Sequence, residues 1–515
     1  MSASNRSPEN EPPAKGPPEH GSTDHGSTDH GSTDHGSTDH GSTERGPSGR
    51  GSRGQTADPT PWDPRLRALT LGLVSTVTLI AFEAMAVITV LPKVAEDLSG
   101  LSLYGWTTSG FFLGLLVGVV IAGAESDRVG AARPLTAGLV LFGAGLAVAA
   151  LAPNMWILVA GRVLQGLGGG AVPAILYATI GRAYPESQRP RMFAVTATAW
   201  VLPGLIGPAT AALVAEHAGW RWVFGGLIPL VAVAGTGTVR ALRGVPAPTT
   251  VDVAPTAPRL IAALRVSVGA GLVLAGLTGR SAPGLALIAV GSVLAYQPVR
   301  ALLPAGTLRA RPGIAAAVAA RGLLTFAFFG TDTFVPLAIT AARHEPTIVA
   351  SAAVTAVTVT WTTGSWTQAR LAGRVPGRVL IGTGLLAVSA GTAGFALVLV
   401  DAVALAVPIA CWAVAGLGMG LAYSPIASLV LAETPPERHG TASSAVTLSD
   451  NLGTALGTGL GGAAVAASEA ANGTPDLGLA TVFGLTVIVA ALGALVVRRA
   501  PSRIFPAADS TPAAS

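Results

Sequence analysis

Residues 66–91 read LRALTLGLVSTVTLIAFEAMAVITVL. A helix needs about 20 mainly apolar residues to cross a bilayer, and this run supplies them with a single acid, Glu83, well inside. The rest of the chain continues in the same manner. Half of its 515 residues are apolar and only 11% are charged, with a mean hydropathy of +0.57, whereas a soluble domain carries about a quarter charged residues. The 65 glycines and 37 prolines fall inside long apolar runs, where membrane helices tolerate them. The composition argues for a membrane protein and against a water-soluble fold.

Windows of spanning length occur about fourteen times. Six cover roughly 66–91, 103–124, 134–152, 156–180, 192–214 and 222–239. Eight follow, at 261–279, 283–299, 313–340, 346–368, 379–400, 402–431, 441–467 and 477–497. The pair at 261–279 and 283–299 is short and holds Arg265, so an amphipathic or re-entrant pair is its alternative. Arginine placement tests the count, because cytoplasmic loops collect basic residues. With the N-terminus cytoplasmic, the inner loops hold Arg128 and Arg133, then Arg182, Arg189 and Arg191, then Arg240, Arg243 and Arg259. Further inner loops carry Arg300, Arg309 and Arg311, then Arg370, Arg374 and Arg378, and finally Arg438. The outer loops keep only Lys93, Arg221, Arg280 and Arg343. Dropping one span would invert this asymmetry beyond it, so an even count with both termini cytoplasmic is expected. Arg498, Arg499 and Arg503 agree.

Residues 1–64 are polar and carry four tandem Gly-Ser-Thr-Asp-His units from Gly21 to His40. Such a segment cannot bury enough apolar surface to order itself and reads as a disordered cytoplasmic tail. Histidines every five residues, from His20 to His40, have the chemistry to bind a transition metal, but repeat slippage in a tolerant tail accounts for them without one. Cys411 is the only cysteine, which excludes an intramolecular disulfide and a cysteine metal cluster. No cofactor or metal is expected, and arginines between apolar runs speak for topology, not nucleic-acid binding. Lysine only at Lys15 and Lys93, beside so much alanine and glycine, suggests a GC-rich bacterial genome and a plasma-membrane location.

An internal repeat is visible. Gly166-Leu167-Gly168-Gly169-Gly170 recurs as Gly416-Leu417-Gly418-Met419-Gly420, each followed by a Pro-Glu loop, at Pro185-Glu186 and Pro436-Glu437. The chain therefore divides into the tail (1–64), a first six-helix half (65–240), a central loop with two extra helices (241–311), a second six-helix half (312–500) and a short tail (501–515). Parallel halves of this kind hold a substrate site between them near the bilayer midplane, and one chain then needs no partner to form a pathway.

Several motifs resemble the major facilitator superfamily. Gly123-Ala-Glu-Ser-Asp127-Arg128-Val-Gly130 is similar to its G-x-x-x-D-R-x-G loop, although the usual following basic residues are reduced to Arg133. Asp127 there can cap a helix or pair with a cytoplasmic arginine and lock one conformational state. Gly161-Arg162-Val-Leu-Gln165-Gly166 resembles the intramembrane R-x-x-Q-G motif. Pro203-Gly204-Leu-Ile-Gly207-Pro208 resembles the antiporter signature, with Ala211 and Ala212 in place of its closing glycines. Glu83-Ala-Met-Ala-Val-Ile-Thr-Val-Leu91-Pro92 and Trp220-Arg221-Trp222-Val223-Phe224 are similar to segments of the fourteen-span drug:proton antiporters. The resemblance implies an all-α polytopic fold of two six-helix halves plus two central helices, alternating access, and exchange of protons for an amphipathic small molecule such as an antibiotic or secondary metabolite.

Depth along the helices adds candidates. Glu83 lies about 12 Å from Leu91 and Arg162 about 9 Å from Trp156 on the same face, close enough to meet. Asp332 lies about 12 Å from Thr340, and Asp450 about 14 Å from Thr441 at the opposite face. Intramembrane charges of this kind face a protein interior and mark ion or proton pathways. Glu83, Arg162, Asp332 and Asp450 are thus the expected coupling residues, each with a static packing role as its alternative. Arg321, nearer the inner face, is expected to snorkel. Gln165, Trp200 and Trp361 are candidate cavity residues. A proton-coupled uptake symporter is the alternative within transport, and a non-transporting receptor the alternative outside it. A membrane enzyme is disfavoured, because the sequence has no nucleophile elbow, phosphate loop or metal-ligand cluster.

Overall fold

The computed structural model describes residues 62–185, 188–245, 256–279, 282–435 and 438–502. The N-terminal repeat units, Glu186, Arg280, Pro436, Glu437 and Arg503, with the rest of the C-terminal tail, lie outside the described residues. The regular elements among the described residues are all helices. The first nine helices are α1 (Pro64–Asp97), α2 (Tyr104–Val129), α3 (Ala132–Ala150), α4 (Met155–Gly169), α5 (Ala171–Ala183), α6 (Arg189–Thr198), α7 (Val201–His217), α8 (Arg221–Gly225) and α9 (Leu227–Leu242). A central pair follows, α10 (Thr256–Gly279) and α11 (Ala282–Leu302). The remainder are α12 (Ile314–Asp332), α13 (Val335–Leu337), α14 (Thr347–Leu371), α15 (Gly377–Phe395), α16 (Ala406–Ala432), α17 (His439–Asn472) and α18 (Asp476–Val496).

Among the described residues, 12 helices are long and apolar enough to cross a membrane, including both central ones. The expected spans missing from that set have physical reasons. The fifth is interrupted at Ala199 and Trp200, which leaves α7 only 17 residues long. The thirteenth is α17, whose 34 residues are rich in Ser, Thr and Gly and carry Asp450 and Glu469. The first span also differs from its sequence reading. Pro92 does not end α1, which continues to Asp97, so Glu83 sits fourteen residues from the helix end, about 21 Å along the axis and not 12 Å.

The glycine repeat sets equivalent contacts in both parts of the chain. A side chain at Gly166 of α4 would strike the backbone of Phe111 and Leu115 on α2, and one at Gly416 or Gly420 of α16 would strike the backbone of Val357 or Trp361 on α14. Correspondingly, α4 packs on α2 and α3, as α16 packs on α14 and α15. Without a hydrophobic force between helices in lipid, such close backbone approach is what holds them.

The set α1–α9 meets the set α12–α18 along two seams, α2 with α17 and α7 with α14. Hydrogen bonds joining described residues of the two sets come from the first two turns of α2. Tyr104 Oη donates to the Thr333 carbonyl at 3.1 Å, and Ser109 Oγ reaches the Ala455 carbonyl at 2.9 Å and Thr458 Oγ1 at 2.8 Å. These residues lie toward the face where α1 ends, the Asp97 face. Helix α10 packs on both α2 and α17 beside this seam, with Ser267 Oγ donating to the Leu113 carbonyl and Trp106 Nε1 to Thr278 Oγ1.

Candidate functional site

Three ionisable clusters lie inside the helical bundle. The first joins α1 to α4. Glu83 has no exposed surface, and Arg162 is 4% exposed; Arg162 Nη1 donates to Glu83 Oε1. The same nitrogen donates to Gln165 Oε1, one turn along α4, while Nε donates to the Thr107 carbonyl at 3.2 Å. The guanidinium also lies 4.5 Å from the centre of the Phe111 ring. Glu83 Oε2 and Gln165 Nε2 are buried without a hydrogen-bond partner among the described residues. A carboxylate held by one arginine on one oxygen keeps the other free to take a proton.

The second cluster is Asp332, at the last residue of α12 and 3% exposed. Its Oδ1 is buried and unpartnered among the described residues, as is Thr333 Oγ1 beside it. Asp332 adjoins the seam, because Tyr104 bonds the Thr333 carbonyl and packs at a tilt on Phe334 with ring centres 5.4 Å apart.

Asp450 forms the third, and here the expectation for Arg321 is corrected. Arg321 does not snorkel: its side chain is 5% exposed, and Nη2 donates to Asp450 Oδ2 at 3.0 Å. The Asp450 side chain, 17% exposed, also accepts from Tyr423 Oη at 2.9 Å. Depth along each helix sets both residues toward the inner face without joining them; the packing of α12 on α17 is what brings them together. Nor does Asp450 meet Asp332, which lies further along α12 than Arg321.

Aromatic rings connect the clusters. Phe111 contacts Phe112, which faces Phe329 across the two helix sets at 6.3 Å; Phe329 adjoins Trp361 at 6.1 Å, and Trp361 adjoins Tyr423 at 5.5 Å. Tyr423 in turn lies under the Arg321 guanidinium. Trp361 is half-buried within this chain of rings. Trp200 stands outside it, at the α6–α7 break and 46% exposed.

The loop after α2 carries Gly123, Asp127, Arg128 and Gly130. Asp127 Oδ1 accepts from Arg182 Nη2 of α5 at 2.6 Å, whereas Arg128 pairs with Glu125 inside the same turn. Asp127 does not cap α3, which begins without a side-chain cap. Gly130 has φ +82°, a conformation that favours glycine, while Gly123 has open space around it. On α7, Pro203, Gly204, Gly207 and Pro208 are all buried. Gly204 abuts Thr358 of α14, and Gly207 has ordinary contact with Phe82 and Met85 of α1, so this segment packs between the two helix sets. A cavity of about 760 Å³ between the α2–α3 loop and the end of α9 is lined by Gly130, Arg133 and Arg243, away from the buried carboxylates.

Comparison with known proteins adds a family match, two relatives and two solved structures. Residues 73–458 match the family model described as Major Facilitator Superfamily. A probable multidrug-efflux transporter of Mycobacterium tuberculosis is 31% identical over 447 residues, covering 83% of this chain and 93% of the relative. The multidrug transporter protein MdtP of Bacillus subtilis is 32% identical over 176 residues, 34% of this chain and 32% of that one. Among solved structures, an auto-inhibited POT family peptide transporter aligns with a TM-score of 0.61 at 16% identity, covering 86% of this chain and 99% of its own. A D-xylose-proton symporter aligns at 0.60 and 15% identity, covering 86% and 98%. At such identities these two likenesses speak for the fold alone.

Proposed function

Taking as premise that the chain belongs to the Major Facilitator Superfamily, and so is a multi-pass membrane transporter and not an enzyme, we propose that it exports an amphipathic small molecule in exchange for protons. The reading places it in the fourteen-span drug:proton branch, in a bacterial plasma membrane, as a monomer with both termini cytoplasmic. Helices α6–α7 and α17 then supply the two spans beyond the twelve; at 1.5 Å per residue α17 is about 51 Å long, ample for a crossing. The Asp127 face is cytoplasmic and the Asp97 face external.

The observation that carries this reading is the pair of buried acids Glu83 and Asp332, each with an oxygen left unbonded among the described residues. A buried carboxylate without a full set of partners is stabilised by taking a proton and destabilised by losing it. Glu83 alternates between its Arg162 partner and a proton. Asp332 loads a proton next to the Tyr104–Thr333 contact, so its charge state biases the external seal, and Asp450 contributes at the cytoplasmic side. Gln165, Trp361 and Trp200 serve the substrate path, Pro203, Gly204, Gly207 and Pro208 the packing of α7, and the Gly123–Gly130 loop, through Asp127 and Arg128, the cytoplasmic gate. The efflux direction draws support from the relatives named as multidrug-efflux transporters.

The test is a susceptibility panel in cells stripped of their own pumps. The intact chain should raise the tolerated concentration of at least one compound class, and Glu83→Gln and Asp332→Asn should abolish that rise at equal membrane abundance. Heightened sensitivity with the intact chain would indicate uptake, and full resistance with both variants would remove these acids from coupling.

A further inference from the structure

The three charged clusters are not equivalent in access. Glu83 and Asp332 are buried, and the helix sets are bonded together at their Asp97 ends through Tyr104 and Ser109. Asp450 sits eleven residues from the opposite end of α17, about 16 Å along the helix, and keeps part of its side chain exposed. Both hydrogen bonds to its carboxylate, from Arg321 and from Tyr423, fall on Oδ2. Neither of these two bonds falls on Oδ1. Arg321 itself is fixed from three sides: Nη1 donates to the Tyr423 carbonyl at 2.6 Å, Nη2 holds Asp450, and the guanidinium lies 3.2 Å from the centre of the Tyr423 ring.

We propose that Arg321, with Tyr423, is a positioning residue for Asp450: together they clamp one carboxylate oxygen and present the other to a passage that opens at the Asp127 face. The chain then carries two arginine–carboxylate pairs of different access, Glu83–Arg162 enclosed and Arg321–Asp450 open to one side. Arg321 touches no transported species in this arrangement; it acts through the carboxylate it orients. The proposal gives Asp450 a defined place in the coupling reading above, on which its functional meaning rests.

Chemical labelling tests it without any knowledge of the substrate. Right-side-out and everted vesicles holding the full chain are treated with a water-soluble carbodiimide and a membrane-impermeant amine, and adduct at Asp450 is quantified by mass spectrometry. Sidedness is scored against an Arg133→Cys tag, which marks the Asp127 face. Asp450 should be modified from the tagged face about tenfold more than from the other, with Glu83 and Asp332 unmodified; losing an adjoining cation changes a carboxylate's behaviour by roughly that order as well, so Arg321→Gln should raise the adduct about tenfold. Arg321→Lys, which keeps the charge, should stay within about twofold of the parent. Should Arg321→Gln fail to reach the membrane, Tyr423→Phe frees the same oxygen and should also raise labelling. Equal labelling from both faces, no labelling at all, or a yield indifferent to Arg321→Gln and Tyr423→Phe would overturn the proposal. Labelling reads geometry and the resistance panel reads coupling, so the two ideas fail separately.

Discussion

A carboxylate with no exposed surface survives inside a protein only if a cation or a proton compensates it. For Glu83 that cation is Arg162, itself held by Gln165, Thr107 and the Phe111 ring. Breaking a buried pair from one side leaves an uncompensated charge, which costs about 3–5 kcal/mol, whereas replacing both members is often neutral. Arg162→Met should therefore lower the thermal unfolding midpoint in detergent sharply, and the double variant Glu83→Gln with Arg162→Met should recover most of the loss without recovering transport. If Arg162→Met unfolds at the parental temperature, the pair is not the constraint described. The sequence made Glu83 and Arg162 conspicuous because each is a lone charge in an apolar run. It left Tyr104 and Tyr423 silent, since a tyrosine in a membrane helix is ordinary until packing gives its hydroxyl a partner.

Among elements, the α2–α17 seam is the part most exposed to single substitutions. A side chain carbon at Gly105 would come within 2.6 Å of Gly462 Cα and 2.9 Å of its nitrogen, both backbone atoms that cannot rotate away. Gly105→Val should therefore wedge the Asp97 ends of α2 and α17 apart. Spin labels on those ends should report a longer, broader distance distribution than in the parent, with protein abundance retained; an unchanged distribution would mean that the seam does not depend on backbone contact. Helix existence was legible here because each apolar run is long, and the glycine repeat announced the matching contacts of α4 and α16. Helix ends were not. Pro92 reads as a stop, yet α1 runs on to Asp97, because a proline disrupts a helix only by the bond it removes and the turn it crowds, and tertiary contact can absorb both. The polar, glycine-rich α17 shows the converse: the window 441–467 is part of a 34-residue helix that falls outside the twelve apolar enough to cross.

For the whole molecule, bonding of the two helix sets at one end, with the Arg321–Asp450 pair partly open at the other, is on the proposed reading one state of an alternating cycle. The proposed orientation rests on arginine placement: cysteine tags at Arg133 and Arg374 should react with impermeant reagent only in everted vesicles, and a tag at Lys93 only in right-side-out ones. Reaction of Arg133 and Lys93 tags from the same side would refute the assigned topology. Proton coupling is the central claim, and proteoliposomes test it most directly. With a compound drawn from the susceptibility panel and an imposed pH gradient alone, the intact protein should move that compound against the proton flow and acidify or alkalinise the lumen in step. Glu83→Gln and Asp332→Asn should lose gradient-driven accumulation. Undiminished accumulation by both variants, or movement indifferent to the gradient, would contradict the account.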